Sequence, residues 1–211
     1  MRFYRLLLAL MLVAAAAVAP VAVKADSALY HPNLLNAKAP ATYRVQFKTT
    51  AGTFIVLVTR AWAPNGADRF YNLVKHGFFN NAEFFRVVPG FVVQFGLSGV
   101  PALDKIWANA TFPDDKVTQS NHLGYVTFAA MQTPDSRTTQ LFVNLAENKR
   151  LDQMGFAPIG RVTSGMDVVQ KLYSGYGQTP DQGQIASDGN TYLRQQFPQM
   201  DVITSAKLLP K

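Results

Sequence analysis

An arginine and a glutamine stand in a stretch otherwise built from aromatic and aliphatic side chains, Phe84-Phe85-Arg86-Val87-Val88-Pro89-Gly90-Phe91-Val92-Val93-Gln94-Phe95-Gly96. An arginine among such neighbours is costly to bury without a partner. Lining a groove, it becomes a permanently charged fork of donors in a partly dry pocket. Such a pocket suits a peptide segment carrying a proline. A second amide and a second phenylalanine lie downstream, in Arg137-Thr138-Thr139-Gln140-Leu141-Phe142-Val143-Asn144. Taken singly, each residue has a plain structural reading. Arg86 pairs with Glu83 or Asp152, Phe91 and Phe142 sit in a core, and Gln94 and Gln140 are satisfied amides.

Other chemistries lack their parts. The chain has no cysteine, and His31, His76 and His122 show no ligand spacing, so neither a metal nor a thiol nucleophile is expected. There is no Gly-x-Ser-x-Gly elbow and no phosphate-binding Gly-Lys-Ser/Thr loop. Gly175-Tyr176-Gly177 follows a helical pattern instead of joining a strand to a helix start. No cofactor is expected.

The elements that must hold these residues are mostly strands. Tyr43–Lys48 alternates with period two, Thr50-Ala51-Gly52 turns, and Thr53–Thr59 is rich in β-branched residues, together a hairpin. Further strand signals fall at 83–88, 92–95, 124–129, 141–145, 159–163 and 202–207. A helix runs from Pro64 to just before Gly77, with Ala67, Phe70, Leu73 and Val74 on one face. Met166–Tyr173 and Asn190–Phe197 read as two more. Short, evenly spaced strands with few helices predict a mainly β fold, an antiparallel sheet of about eight strands closed into a barrel with two or three flanking helices.

With the motifs in place, the chain resembles the cyclophilin-type peptidyl-prolyl cis-trans isomerases. Phe84–Gln94 is similar to the family's Phe-His-Arg-Ile-Ile-Pro-Gly-Phe-x-x-Gln. Thr139–Val143 resembles its Ser/Thr-Gln-Phe-Phe-Ile, and Leu151-Asp152, Ile159-Gly160-Arg161-Val162 and Gly165-Met166-Asp167-Val168-Val169 resemble its later block. The blocks keep family order over residues 43–173. The resemblance implies that Arg86 is the catalytic arginine and that Phe91, Val92 and Phe142 line the proline pocket. It further implies that Gln94 binds peptide backbone, that Ala129 and Gln140 face the groove, and that Leu151 forms its rim. The implied activity is isomerisation of X–Pro bonds in folding or unfolded clients. The alternative is a non-catalytic, chaperone-like binder of proline-containing segments.

Several positions depart from that pattern. Phe85 stands where the family has histidine. Arg150 replaces a tryptophan associated with tight cyclosporin binding, so weak binding of that drug is expected. Gln153–Pro158 occupies the stretch of the groove histidine, with Phe156 placed to fill the pocket wall. The segment from Gly175 to Pro198 exceeds a minimal family member and resembles the tails of a bacterial-type subgroup; packing under the barrel is its expected role.

The first 25 residues differ from the rest. Arg2 and Arg5 precede an unbroken apolar run from Leu6 to Ala19, and Val23-Lys24-Ala25 offers a cleavage site before Asp26. This is the layout of a signal peptide, with an uncleaved membrane anchor as the alternative. Residues 1–25 are thus read as signal peptide, 26–41 as an N-terminal arm and 42–211 as the isomerase-like domain. An exported product, periplasmic or secreted, without membrane attachment after cleavage, is expected. Losing Arg2, Arg5 and Lys24 lowers the formal charge from +7 to +4. The remaining basic residues are scattered, which argues against nucleic-acid binding, and no unusual apolar run demands a partner, so a monomer is expected.

Overall fold

The computed structural model describes residues 26–210; the expected leader over residues 1–25 lies outside them. β1 (Thr42–Thr49) and β2 (Gly52–Thr59) form the hairpin that their alternation predicts. Then come α1 (Pro64–Lys75), β3 (Arg86–Val88), β4 (Val92–Phe95), α2 (Pro101–Trp107), β5 (Tyr125–Phe128) and β6 (Leu141–Asn144). The chain continues through α3 (Arg150–Gln153), β7 (Pro158–Ser164), α4 (Met166–Gln170), α5 (Gln182–Asp188), α6 (Asn190–Gln196) and β8 (Ile203–Leu208).

The strands pair antiparallel in one curled sheet of eight, in the order β3-β4-β6-β5-β7-β2-β1-β8. This corrects the expected closed barrel. In strand pairing the sheet is open, with β3 and β8 at its ends. The seam is crossed just before β3, by an isolated bridge between Glu83 and Val202 and by the amide of Phe84 donating to the carbonyl of Asp201 at 3.1 Å. β3 therefore begins at Arg86 instead of Glu83, because residues 81–84 face the chain entering β8 and not β4. The helices also outnumber the expected two or three. α2, α3 and α5 are each four to seven residues long, too short to print a 3.6-residue period.

The main core lies against one face of the sheet. Phe47 stacks on Phe54 with ring centroids 4.8 Å apart and meets Phe95 edge-on at 5.7 Å. Ala67, Phe70, Leu73 and Val74 of α1 are buried with them, the face that the spacing predicts. α1 lacks a side-chain cap of its own. The Asp115 carboxylate instead accepts from the backbone N–H groups of Asn65 and Gly66 at 3.0 and 2.8 Å, satisfying first-turn donors that have no intrahelical partner.

In β4 all four residues are buried, so no polar alternation marks its faces. Val93 and Phe95 belong to the main core. Val92 and Gln94, with period two, point to the other side. That outer side carries the site.

Candidate functional site

Three strands lay the site residues in one row. Arg86 of β3 is registered opposite Gln94 of β4, and Gln94 opposite Phe142 of β6. Directly opposed residues share a face of the sheet, so positions far apart in the chain become side-chain neighbours. The β3–β4 turn sets this register. Pro89 and Gly90 are its central residues, Gly90 has φ +72°, and the amide of Phe91 donates to the carbonyl of Val88 at 3.0 Å. A positive φ at that position is what a type II turn needs, and glycine adopts it without strain.

All nine residues singled out from the sequence, Arg86, Phe91, Val92, Gln94, Ala129, Gln140, Phe142, Leu151 and Phe156, line one cleft of about 550 Å³. Its apolar end is a cluster separate from the main core, formed by Val92, Phe142 and Leu151 with Phe91, Ala129 and Phe156 against them. Phe156 meets Phe142 edge-on at 5.7 Å. Arg150 lies over the ring of Phe91 at 4.9 Å. In the 129–134 loop, the amide of Ala129 is tied to the carbonyl of Gln140 at 2.9 Å, whereas Met131 at the rim is 72% exposed.

The polar end is a chain of amides. Gln94 Nε2 donates to Gln140 Oε1 at 2.8 Å, which turns Gln94 Oε1 toward Arg86, whose Nη1 donates to it at 3.1 Å. Arg86 also stands over the Phe91 ring at 5.4 Å. Among the described residues it has no carboxylate partner: Glu83 lies 3.8 Å from Arg194, and Asp152 accepts from Ser120 and Asn121. The paired-arginine reading is thereby removed. Partial burial lowers the pKa of the Arg86 guanidinium, but a guanidinium remains charged across the working range. The site thus offers a fixed cationic donor at the edge of an apolar pocket.

Other lining residues gave no signal in the sequence. Leu97, Asp104 and Ala108 come from α2 and the residues flanking it, and Gln182 and Ala186 from α5. Gln178 accepts a hydrogen bond from Arg86 Nη2 at 3.2 Å. These residues lie in stretches with no groove-like pattern, and only the chain path brings them in. Part of the 175–198 segment, at Gln178, Gln182 and Ala186, therefore flanks the cleft, while Ile185 and Leu193 pack against Phe85.

Residues 44–190 match the family described as cyclophilin-type peptidyl-prolyl cis-trans isomerase/CLD. A peptidyl-prolyl cis-trans isomerase of Acinetobacter baylyi is 34% identical over 143 residues, covering 66% of this chain and 76% of the relative. Peptidyl-prolyl cis-trans isomerase B of Escherichia coli is 27% identical over 166 residues, covering 75% and 94%. By fold, the chain is similar to a Cryptosporidium parvum cyclophilin-type isomerase solved in the presence of the dipeptide Ala-Pro. That likeness has a TM-score of 0.59 at 15% identity, over 80% of this chain and 99% of the other.

Proposed function

The chain belongs to the cyclophilin-type peptidyl-prolyl cis-trans isomerase family and is an isomerase of X–Pro bonds; we propose that Arg86 is its catalytic donor and that the Phe91, Val92 and Phe142 pocket holds the proline ring. Rotation about the X–Pro bond has a barrier near 18–20 kcal/mol, which comes from amide resonance. No covalent step or proton transfer is required. As the bond twists, resonance is lost and the prolyl nitrogen regains a lone pair. A donor aimed at that nitrogen bonds more strongly to the twisted state than to the planar one, and differential binding of this kind lowers a barrier. The apolar end grips the ring and excludes water. Gln94 and Gln140 offer amide groups to the peptide backbone, with Ala129 and Leu151 as walls and Phe156 closing the pocket.

The observation that carries this assignment is the row Arg86–Gln94–Phe142, which sets an arginine without a carboxylate partner among the described residues beside a separate apolar cluster. A proline-limited refolding assay on residues 26–211 tests it. Wild type accelerates refolding, and Arg86→Ala lowers kcat/KM about 100-fold, a barrier higher by about 2.7 kcal/mol at ~1.4 kcal/mol per tenfold. An Arg86→Ala protein as fast as wild type would remove Arg86 as the catalytic donor.

The leader-like residues 1–25 support an exported enzyme of the bacterial type, periplasmic or secreted, cut after Ala25, and the lack of an unusual apolar run in the rest of the sequence supports a monomer. N-terminal sequencing of the exported protein showing Met1 or Arg2 would replace this with a tethered form. Clients are proline-containing segments of unfolded chains. Arg150 over Phe91 puts a charge where the family's tryptophan supports cyclosporin, so the drug binds weakly, with inhibition only above micromolar concentration. Submicromolar inhibition in a titration would contradict that.

A further inference from the structure

Both chain neighbours of Arg86 touch the C-terminal segment. The side chain of Phe85 is buried with Ile185, Leu193 and Met200 in a satellite cluster. The backbone N–H of Val87 donates to the carbonyl of Gly177 at 2.9 Å. Arg86, between them, donates to Gln178. β3 is an end strand of the sheet, and the 174–178 stretch covers its free edge. An end strand of three residues has little of its own to hold it, so the segment that covers it also sets where Arg86 stands.

That segment is itself fixed. The Tyr176 ring meets Tyr173 at 4.9 Å and Phe197 at 5.0 Å, and the amide of Thr179 donates to the Tyr176 carbonyl at 2.9 Å. Gln178 therefore leaves an anchored turn to reach the guanidinium from one side, while Gln94, oriented by Gln140, reaches it from the other. The two amide oxygens bond to different terminal nitrogens, Nη1 and Nη2. Two such bonds fix rotation about the guanidinium bonds and leave the remaining N–H groups free to face a substrate.

We propose that Gln178 is a positioning residue for Arg86, and that Phe85, standing where the family has histidine, is the anchor that brings the C-terminal segment to it. The inference rests on the isomerase reading of Arg86, but positioning can be read without turnover. In the ligand-free protein, the 15N–1H signals of the Arg86 guanidinium are expected as resolved Nη resonances. They collapse to an averaged signal in Gln178→Ala and in Gln178→Met, which keeps the length without a good acceptor, and they persist in Gln178→Glu. In the refolding assay, Gln178→Ala and Gln178→Met lower kcat three- to tenfold with KM within twofold, Gln178→Glu recovers most of it, and the loss disappears in the Arg86→Ala background. Unchanged guanidinium signals in Gln178→Met, or a loss confined to KM, overturns the positioning role while leaving the isomerase reading intact. A wild-type protein that fails to accelerate refolding but shows the expected guanidinium signals overturns the isomerase reading and not the positioning.

Discussion

Glu83 shows how a single side chain carries the strain of a seam. It is 2% exposed, its Oε1 has no hydrogen-bond partner, and Arg194 Nε stands 3.8 Å away. Burial raises its carboxyl from an ordinary value of 4.5 to about 7, with Arg194 opposing the shift. The folded state then binds this proton more tightly than the unfolded chain does, so between those two values it holds the extra proton. Stability therefore falls as pH rises through that window, and the whole penalty is present above pH 7. At ~1.4 kcal/mol per pKa unit the swing is about 3 kcal/mol. Glu83→Gln, always neutral, should be more stable than wild type at pH 8 and within about 1 kcal/mol of it at pH 5. Urea denaturation at the two pH values checks this, and equal pH dependence in the two proteins would refute it. The sequence offered Glu83 as a partner for Arg86. The structure instead turns it to the β8 side, because residues 81–84 pair with residues 201–203.

At the scale of elements, Gly96 decides how closely the end of β4 approaches Thr139 and Gln140, the residues that lead into β6. Its φ is +110°, and a Cβ there would stand 2.4 Å from the Thr139 carbonyl oxygen and 2.7 Å from the Gln140 Cα. Gly90, with φ +72°, has open space around the same point. Gly96→Ala is thus expected to cost about 3 kcal/mol, since it combines backbone strain with a clash, and Gly90→Ala about 1 kcal/mol, which is strain alone. Gly96→Ala also displaces Gln140 and hence Gln94, so its kcat/KM drops while Gly90→Ala keeps most of the activity. Urea denaturation with the refolding assay would show equal costs if close approach at Gly96 did not matter. All eight strands were legible in the sequence, because alternation and β-branched runs are local signals. Three short helices, α2, α3 and α5, were not: α2 buries Leu103 and Trp107, a single helical interval that any loop can supply.

The whole molecule is held at its start as well as its end. The arm before β1 has no periodicity, yet Leu29 is 1% exposed and its carbonyl accepts from Trp107 Nε1 at 2.9 Å. The amides of Ala37 and Ala39 donate to Asn72 and Asp68 of α1 at 3.2 and 2.8 Å. With no cysteine in the chain, packing of this kind replaces cross-links. Deleting residues 26–36 exposes apolar core and strands the Trp107 donor, together costing about 3–5 kcal/mol. A thermal melt should show a loss of ten degrees or more, and an unchanged midpoint would make the arm a mere leader.

Sequence by itself determined the strands, the face of α1 and, through the family resemblance, nine of the residues that line the cleft. Alternation, turn chemistry and an arginine stranded among apolar residues are properties of short stretches, and they survive without knowledge of the rest. Tertiary structure decided what depends on distant segments meeting. It left the sheet open between β3 and β8, buried Glu83 at that seam, strapped the arm to α1 and α2, and set Gln178 beside Arg86. The physical reason is the same in each case. A hydrogen bond or a buried contact between residues 29 to 122 positions apart leaves no periodic mark on either stretch, so it becomes visible only when the chain has closed upon itself.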